Sequence, residues 1–301
     1  MKKLTEAWYK AINEYRYTKW NTCGPREPVM PWIPPSAPVC LARALRNIGT
    51  AVNLEAGASL SLAFGNAQGE VSASDYARED NLIYVSKGMI AREPSASRIG
   101  SSKSSSLSIT PAGRILGGGL DFFFCHPFAS RSYALTKAEV IVCNKKLLNQ
   151  VLSVDTALQQ TLQQHFELCH LSNSITLEAV SGLPVVERIK LYLLSWAVYW
   201  GVLMVDSDEQ SWIRIPLPLL REDFSRLIST SKASVDKTFI AWKNEGLTYT
   251  ETPYLYYRSD MVKPLLPWLC IFDEYRSTYR NNLNFEDIMP MSSRVESRKN
   301  H

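Results

Sequence analysis

Near the C-terminal end of the chain, two short apolar stripes at helical spacing stand back to back. In Arg221–Ile228 the stripe is Phe224, Leu227 and Ile228; in Lys232–Asn244 it is Val235, Phe239, Ile240 and Trp242. Steps of three and four predict two amphipathic helices. Ser229–Ser231 is the break between them. Ser231 is placed to cap the second helix, because its hydroxyl can accept an orphan backbone N–H of the first turn. Gly246 suits the left-handed position that ends it. Two β-rich runs follow, Leu247–Glu251 and Tyr254–Arg258, joined at Thr252-Pro253.

Helix, turn, helix and hairpin in that order predict a winged helix-turn-helix. Two amphipathic helices with a short turn also occur in domains that never touch DNA. The polar positions of the second helix favour a DNA reader: Lys232, Ser234, Lys237, Thr238 and Lys243 lie mostly off the apolar stripe. Lys232 and Ser234 stand at the N-terminal end, the end such helices push into the major groove. Lysine meets guanine acceptors or phosphates, and serine and threonine hydroxyls reach phosphates.

Upstream the pattern is different. LARALRNIG, from Leu41, predicts a short helix. AVNLEAGASLSLAFG, NLIYVSKGMIAR, LSITPAG, ILGGGLDFFF and RSYALTKAEVIVCN are β-rich, with glycines between them. Repeated short strands with glycine punctuation predict a β-sandwich or barrel. Ser95–Ser108 is a low-complexity loop, read as a hairpin tip. After Asn144 the period turns helical. Lys145–Leu152 is short, and Asp155 can cap a long helix running to about Val180. Leu158, Leu162, His165, Phe166, Cys169, Ile175 and Ala179 repeat along it at steps of three and four, interrupted at Ser172 and Asn173. Such a stripe pairs with a second copy of itself or packs on its own β-domain; the sequence leaves both open. Gly182-Leu183-Pro184 breaks the helix. Val186–Trp200 is the next, leading into a strand at Ser211–Ile215.

The ends are less informative. Leu4–Trp20 reads as an amphipathic helix. Six prolines between Cys23 and Cys40 forbid helix and favour an extended connector. Beyond Val262 the chain begins with a helix carrying Trp268, Ile271 and Phe272 and ends polar and basic. The division read from these changes is an N-terminal extension (1–40), a β-roll (41–152), a long connecting and dimerisation helix (153–183), a winged helix-turn-helix (184–262) and a tail (263–301). The fold class is α+β.

Composition narrows the chemistry. With 301 residues, 46% hydrophobic and 21% charged, the chain has room for two domains and a sizeable core. A net charge of +4 permits a nucleic-acid partner without arguing for one. Ile213–Met261 carries seven basic residues against six acidic ones, so any DNA contact must come from local arrangement. The apolar run Leu191–Val205 is 15 residues long, short of the ~20 that span a bilayer; it reads as core helix followed by strand, with no membrane partner. MKKLTEAWYK has no secretory apolar region, and the six cysteines form no CxxC pair or zinc pattern, so reduced thiols in a cytoplasm are expected. No Ser-His-Asp order, HExxH or P-loop is present, and no enzyme is expected. An iron–sulfur cluster needs closely grouped cysteines, which are missing. The Cys125-His126 dipeptide is a weak haem signal, and the pair His165 and Cys169 is two ligands short of a metal site.

The order of β-roll, long helix and winged helix-turn-helix resembles the Crp/Fnr family of bacterial transcription regulators. ERIKLYLLSWA is similar to the helix that opens the family's DNA-binding domain. IRIPLPLLREDFSRLISTSKASVDKTFIAWKNEGL resembles its strand, helix, turn and recognition helix, with Arg221, Ser231, Lys232, Ser234, Val235, Lys237 and Gly246 on the signature places. The resemblance implies Lys232 and Lys237 as base or phosphate readers, Arg221 as a grip on the backbone, and Ser231 and Ser234 as positioning contacts. Lys243 completes the set of DNA-binding candidates. There are departures. Ala233 stands where the family usually carries a glutamate that reads cytosine, so the target site should differ from the common one. Ser229 replaces the turn glycine, and Asp236 puts a negative charge on the recognition helix.

In the N-terminal half, NLIYVSKGMIA resembles the family's strand pair and GGGLDFFFCHPFASRSYALTKAEV its phosphate-binding cassette. There a carboxylate takes the ribose hydroxyl and an Arg-Ser pair takes the cyclic phosphate, which implies Asp121, Arg131 and Ser132 as ligand-binding candidates. A guanidinium pairs with phosphate bidentately. Yet Asp121 is shorter than the family's glutamate and Leu120 stands where a glycine is usual. The expectation is no resident cofactor: the roll is ligand-independent or differently liganded, with a cyclic nucleotide as the alternative and haem disfavoured. The implied partners are double-stranded DNA, a second copy of the chain, and RNA polymerase. The competing reading is a protein-interaction module on the same fold that binds no DNA.

Overall fold

The computed structural model describes residues 29–60, 81–94, 107–117, 130–206, 209–216, 219–268, 271–273, 276–278 and 289. The expected helix at Leu4–Trp20, most of the Ser95–Ser108 loop, Asp121, Cys125-His126 and the end of the tail lie outside them. The chain divides into two compact units, residues 32–175 and residues 176–301 with 1–31.

In the unit 32–175, α1 (Val39–Ile48) precedes seven strands among the described residues. They are β1 (Thr50–Leu54), β2 (Asn81–Lys87), β3 (Met89–Pro94), β4 (Ser108–Pro111), β5 (Arg114–Ile115), β6 (Ser130–Ala134) and β7 (Ala138–Asn144). They form two antiparallel sheets, in the orders β1-β7-β2-β5 and β4-β3-β6. This is the two-sheet β architecture expected of the region. Gly88 turns β2 into β3 with a φ of +75°, and a Cβ there would run into the Lys137 carbonyl oxygen and Ala138. Residues 34–37 belong to this unit: Ala37 N–H donates to the Gly113 carbonyl at 2.8 Å, and the buried Arg114 donates to the Pro34 carbonyl.

Asn144 caps α2 (Lys145–Val154) through hydrogen bonds from Lys146 and Leu147 N–H. Asp155 then caps α3 (Thr156–Gly182), its carboxylate accepting from Leu158 N–H at 2.9 Å. The stripe along α3 is buried, and Leu158, Leu162 and Phe166 join one core with Leu41, Leu45, Leu82, Tyr84 and Ile141. These three residues of the stripe pack on the chain's own β-roll. Ser172 does not interrupt it: it is buried, and its hydroxyl donates to the Ile33 carbonyl at 3.3 Å.

In the other unit, α4 (Val185–Trp200) is buried at every position from Leu191 to Trp200. Helix then strand is the form the apolar run takes, with β8 at Val202–Val205. No helix among the described residues is long and apolar enough to cross a membrane. A four-stranded antiparallel sheet follows, β8-β9-β11-β10, with β9 at Ser211–Pro216, β10 at Thr248–Glu251 and β11 at Tyr254–Arg258. Ile213 pairs with Tyr257 and Ile215 with Leu255, and all four are buried. The Tyr257 hydroxyl donates to the Leu193 carbonyl at 3.0 Å, and the Trp196 indole N–H donates to the Pro216 carbonyl, pinning α4 to β9 and β11.

Beyond the hairpin, the helix expected to carry Trp268, Ile271 and Phe272 is not formed. Lys263–Trp268 is a 3-10 turn, and Ile271–Asp273 pairs with Arg276–Thr278 as a small antiparallel ribbon, β12 and β13. Pro267 is the reason, since it lacks the N–H an α-helix interior requires and its ring crowds the carbonyl four residues back.

Candidate nucleic-acid interface

Two helices carry the candidate residues: α5 (Arg221–Leu227) and α6 (Lys232–Asn244). Phe224 is the pivot between them. It is 1% exposed and stands edge-on to Tyr192 of α4, with centroids 4.9 Å apart, and to Phe239 of α6, at 5.9 Å. Leu227, Ile228, Val235 and Trp242 of the same two helices and their turn are buried as well. Aromatic pairs at such angles add to the area they remove from water.

The connecting turn is tight. Ile228 closes α5, and Ser229 takes a φ of +54°. Glycine adopts that backbone freely, while an L side chain pays for it in steric crowding. Arg188, on the first turn of α4, donates to the Ile228 carbonyl at 2.9 Å and to the Ser229 carbonyl at 3.0 Å. It satisfies carbonyls that the helix end leaves orphaned. Nothing in the sequence marked Arg188 for this role. Ser231 caps α6 as its position suggested: its hydroxyl accepts from Ser234 N–H at 3.1 Å and lies 2.8 Å from the Ser234 hydroxyl. At the far end Gly246 has a φ of +69°.

The sequence stripe of α6 was too wide. Val235, Phe239 and Trp242 are buried, but Ile240 is 60% exposed. Ile240 lies about 100° around the helix from Phe239 and about 160° from Trp242, outside the buried line.

The polar candidates divide into groups. Ser231 and Lys232 are exposed and Ser234 half-buried at the N-terminal end; Lys237 is exposed on the outward face and Lys243 in the last turn. Lys232 Nζ lies 3.8 Å from Asp236 Oδ2 across one helical turn. Asp236 is therefore on the flank beside a cation, not among the outward residues. Arg221 is set apart from the others. Its guanidinium lies 3.6 Å over the Phe239 ring, and its buried Nη1 has no hydrogen-bond partner. Burial pushes this guanidinium below its ordinary pKa, and the carboxylate of Asp236 pulls it back up. In this position Arg221 clamps α5 onto α6.

On the hairpin behind α6, Tyr249 stacks on Tyr256 with centroids 4.4 Å apart, and Arg214 lies 5.0 Å from the Tyr254 ring. Trp212 and Tyr256 are each 3% exposed and cluster with Met204 on the sheet face opposite Ile213 and Tyr257. Burial, Glu251 and Tyr249 raise the Tyr256 phenol to about 12, against a smaller opposing effect of Arg214.

No protein-family model matches the chain, and no curated protein does. Solved structures do. CprK in complex with OCPA superposes with a TM-score of 0.53 at 12% identity, over 79% of this chain and 95% of that one. FixK2 from Bradyrhizobium japonicum gives 0.52 at 12% identity, over 70% and 93%. The global regulator CLP from Xanthomonas campestris, described as responsive to c-di-GMP, gives 0.50 at 12% identity, over 72% and 98%. The chain has the Crp/Fnr fold.

The ligand-binding candidates of the Crp/Fnr fold are only partly in view. Asp121 lies outside the described residues, and so does the side chain of Arg131. The Arg131 backbone pairs with Glu93 between β6 and β3; Ser132 pairs with Arg92 and is 5% exposed. The His165 ring is 1% exposed, its Nδ1 has no hydrogen-bond partner, and its Nε2 lies 3.6 Å from Cys169 Sγ. Burial, aided by the Arg114 guanidinium, pushes its pKa down to about 4. Among the described residues no three metal-ligating side chains gather. The Cys143 thiol is buried, its pKa raised to about 12 by that burial, and it donates to the Leu45 carbonyl at 3.1 Å.

Proposed function

We propose that this chain is a sequence-specific DNA-binding transcription regulator that acts as a dimer, without cAMP. One observation carries the reading. The recognition helix α6 is capped by Ser231, seated on Phe224 and held at its turn by Arg188, while it turns Lys232, Lys237 and Lys243 to solvent. That is the geometry of a helix presented to a major groove. Lys237 meets base edges, Lys232 and Lys243 meet phosphates, and Ser231 and Ser234 fix the N-terminal end against the backbone. Arg221 contributes by holding α6 in place, and its charge adds to the field at the phosphates.

The dimer presents two copies of α6 to successive major-groove turns of a roughly palindromic site. Leu158, Leu162 and Phe166 of α3 are engaged with the β-roll, and the two copies pair through the rest of this helix, where Gln160, Gln164, Glu167 and Leu177 are exposed. The roll works without a cyclic nucleotide, as the short Asp121 and the Leu120 beside it suggest, and RNA polymerase is the partner through which bound DNA is acted on. No step of this role needs catalysis by the chain or a membrane.

The test is a titration of the purified chain with genomic DNA fragments at about 50 and 200 mM salt. A reader that neutralises several phosphates loses affinity steeply over this range. Lys232→Ala should lower the slope of log affinity against log salt by about 1, and Lys237→Ala should relax sequence preference at about 1–3 kcal/mol. Binding unaltered by both substitutions, or none at low salt, would support the protein-interaction reading instead.

A further inference from the structure

Burial of one side of α6 fixes what the other side offers. At about 100° per residue, Val235, Phe239 and Trp242 point inward, and Ala233, Lys237, Ile240, Ala241 and Asn244 point outward; the first three are buried and the last five exposed. Three of the five outward residues are apolar and one is a cation. No carboxylate, the group that accepts from cytosine N4, is among them, because Asp236 sits on the flank with Lys232.

An apolar residue in a major groove has one favourable counterpart, the C5-methyl of thymine. Against any other base edge it covers a donor or acceptor without pairing it, which costs free energy. Ala233 and Ile240 are seven residues apart, about 10 Å along the helix. That is roughly three base steps of 3.4 Å. Lys237 lies between them, one turn from each.

Building on the DNA-reading role above, we propose that Ala233 and Ile240 read thymine methyl groups and that Lys237 reads a guanine between them. The half-site then carries two thymine-bearing pairs about three steps apart, with guanine inside. Ile240, the larger and 60% exposed, sets the stronger preference.

The experiment uses the full chain and duplexes it selects from a random pool. Each thymine of the selected site is replaced by deoxyuridine, which deletes the methyl and leaves every hydrogen-bonding group. One methyl's worth of burial predicts up to about a fourfold loss of affinity, with the larger loss at the position read by Ile240. Ile240→Ser should abolish the loss at its own position and leave the salt dependence unchanged. Ile240 is exposed, so the variant keeps its fold, checked by circular dichroism. Selected sites without thymine at these places, or deoxyuridine duplexes bound as tightly as thymidine ones, overturn this proposal and leave the DNA-reading role standing. Absence of salt-dependent binding to any duplex overturns both.

Discussion

His165 shows how much one buried residue can govern. Its ring is shut away beside Arg114, and its pKa falls from 6.5 to about 4. Unfolded, the same ring protonates near 6.5, so between the two values the unfolded chain binds the extra proton. Stability should therefore fall as pH drops through that window, by about 3 kcal/mol in all. Urea unfolding at pH 7 and pH 4.5 measures it: His165→Gln should flatten the difference, and an unchanged difference would show that another group is responsible. The sequence placed His165 and Cys169 on one helix face, and the structure agrees. It could not show the orphaned Nδ1, which depends on what the fold packs around the ring. Ile240 is the opposite case. Its spacing matched the apolar stripe, and only the seating of Phe239 and Trp242 revealed that it faces out.

At the level of elements, most boundaries were readable because local chemistry sets them. Ser231 and Asp155 start helices and Gly246 ends one, where a hydroxyl, a carboxylate and a missing Cβ allow it. The tail differs from its pattern because a run with Trp268, Ile271 and Phe272 looks helical, while Pro267 removes an interior donor. The turn between α5 and α6 carries a cost that the sequence hinted at through the missing glycine. Ser229 holds a φ of +54° and is exposed. Ser229→Gly should relieve the crowding and stabilise the unit by about 1 kcal/mol, read as a higher unfolding midpoint. A lower midpoint would mean that the Ser229 side chain makes a compensating contact.

For the whole molecule, the order of parts was legible because each part has its own period: alternation and glycines in the roll, steps of three and four in the helices, and a hairpin after the second short helix. The choice between α3 as a seam and α3 as a lid on its own roll was not legible, because both uses demand the same apolar stripe. Leu158, Leu162 and Phe166 sit in the core with Leu41 and Tyr84, so the first half of the stripe serves the roll. Sequence comparison found no curated relative, whereas solved structures at 12% identity share the fold. A core tolerates exchange of its apolar residues as long as volume and pattern persist.

The role proposed for α6 is to read DNA. Mapping the DNA bound by the full chain across its own genome tests it most directly, with the Lys232→Ala, Lys237→Ala double variant as control. A DNA-reading α6 gives discrete bound sites that share an inverted repeat, with half-site centres about one helical turn, or 10 base pairs, apart, and that vanish in the double variant. A bound profile without a shared motif, or one identical in the double variant, would contradict it.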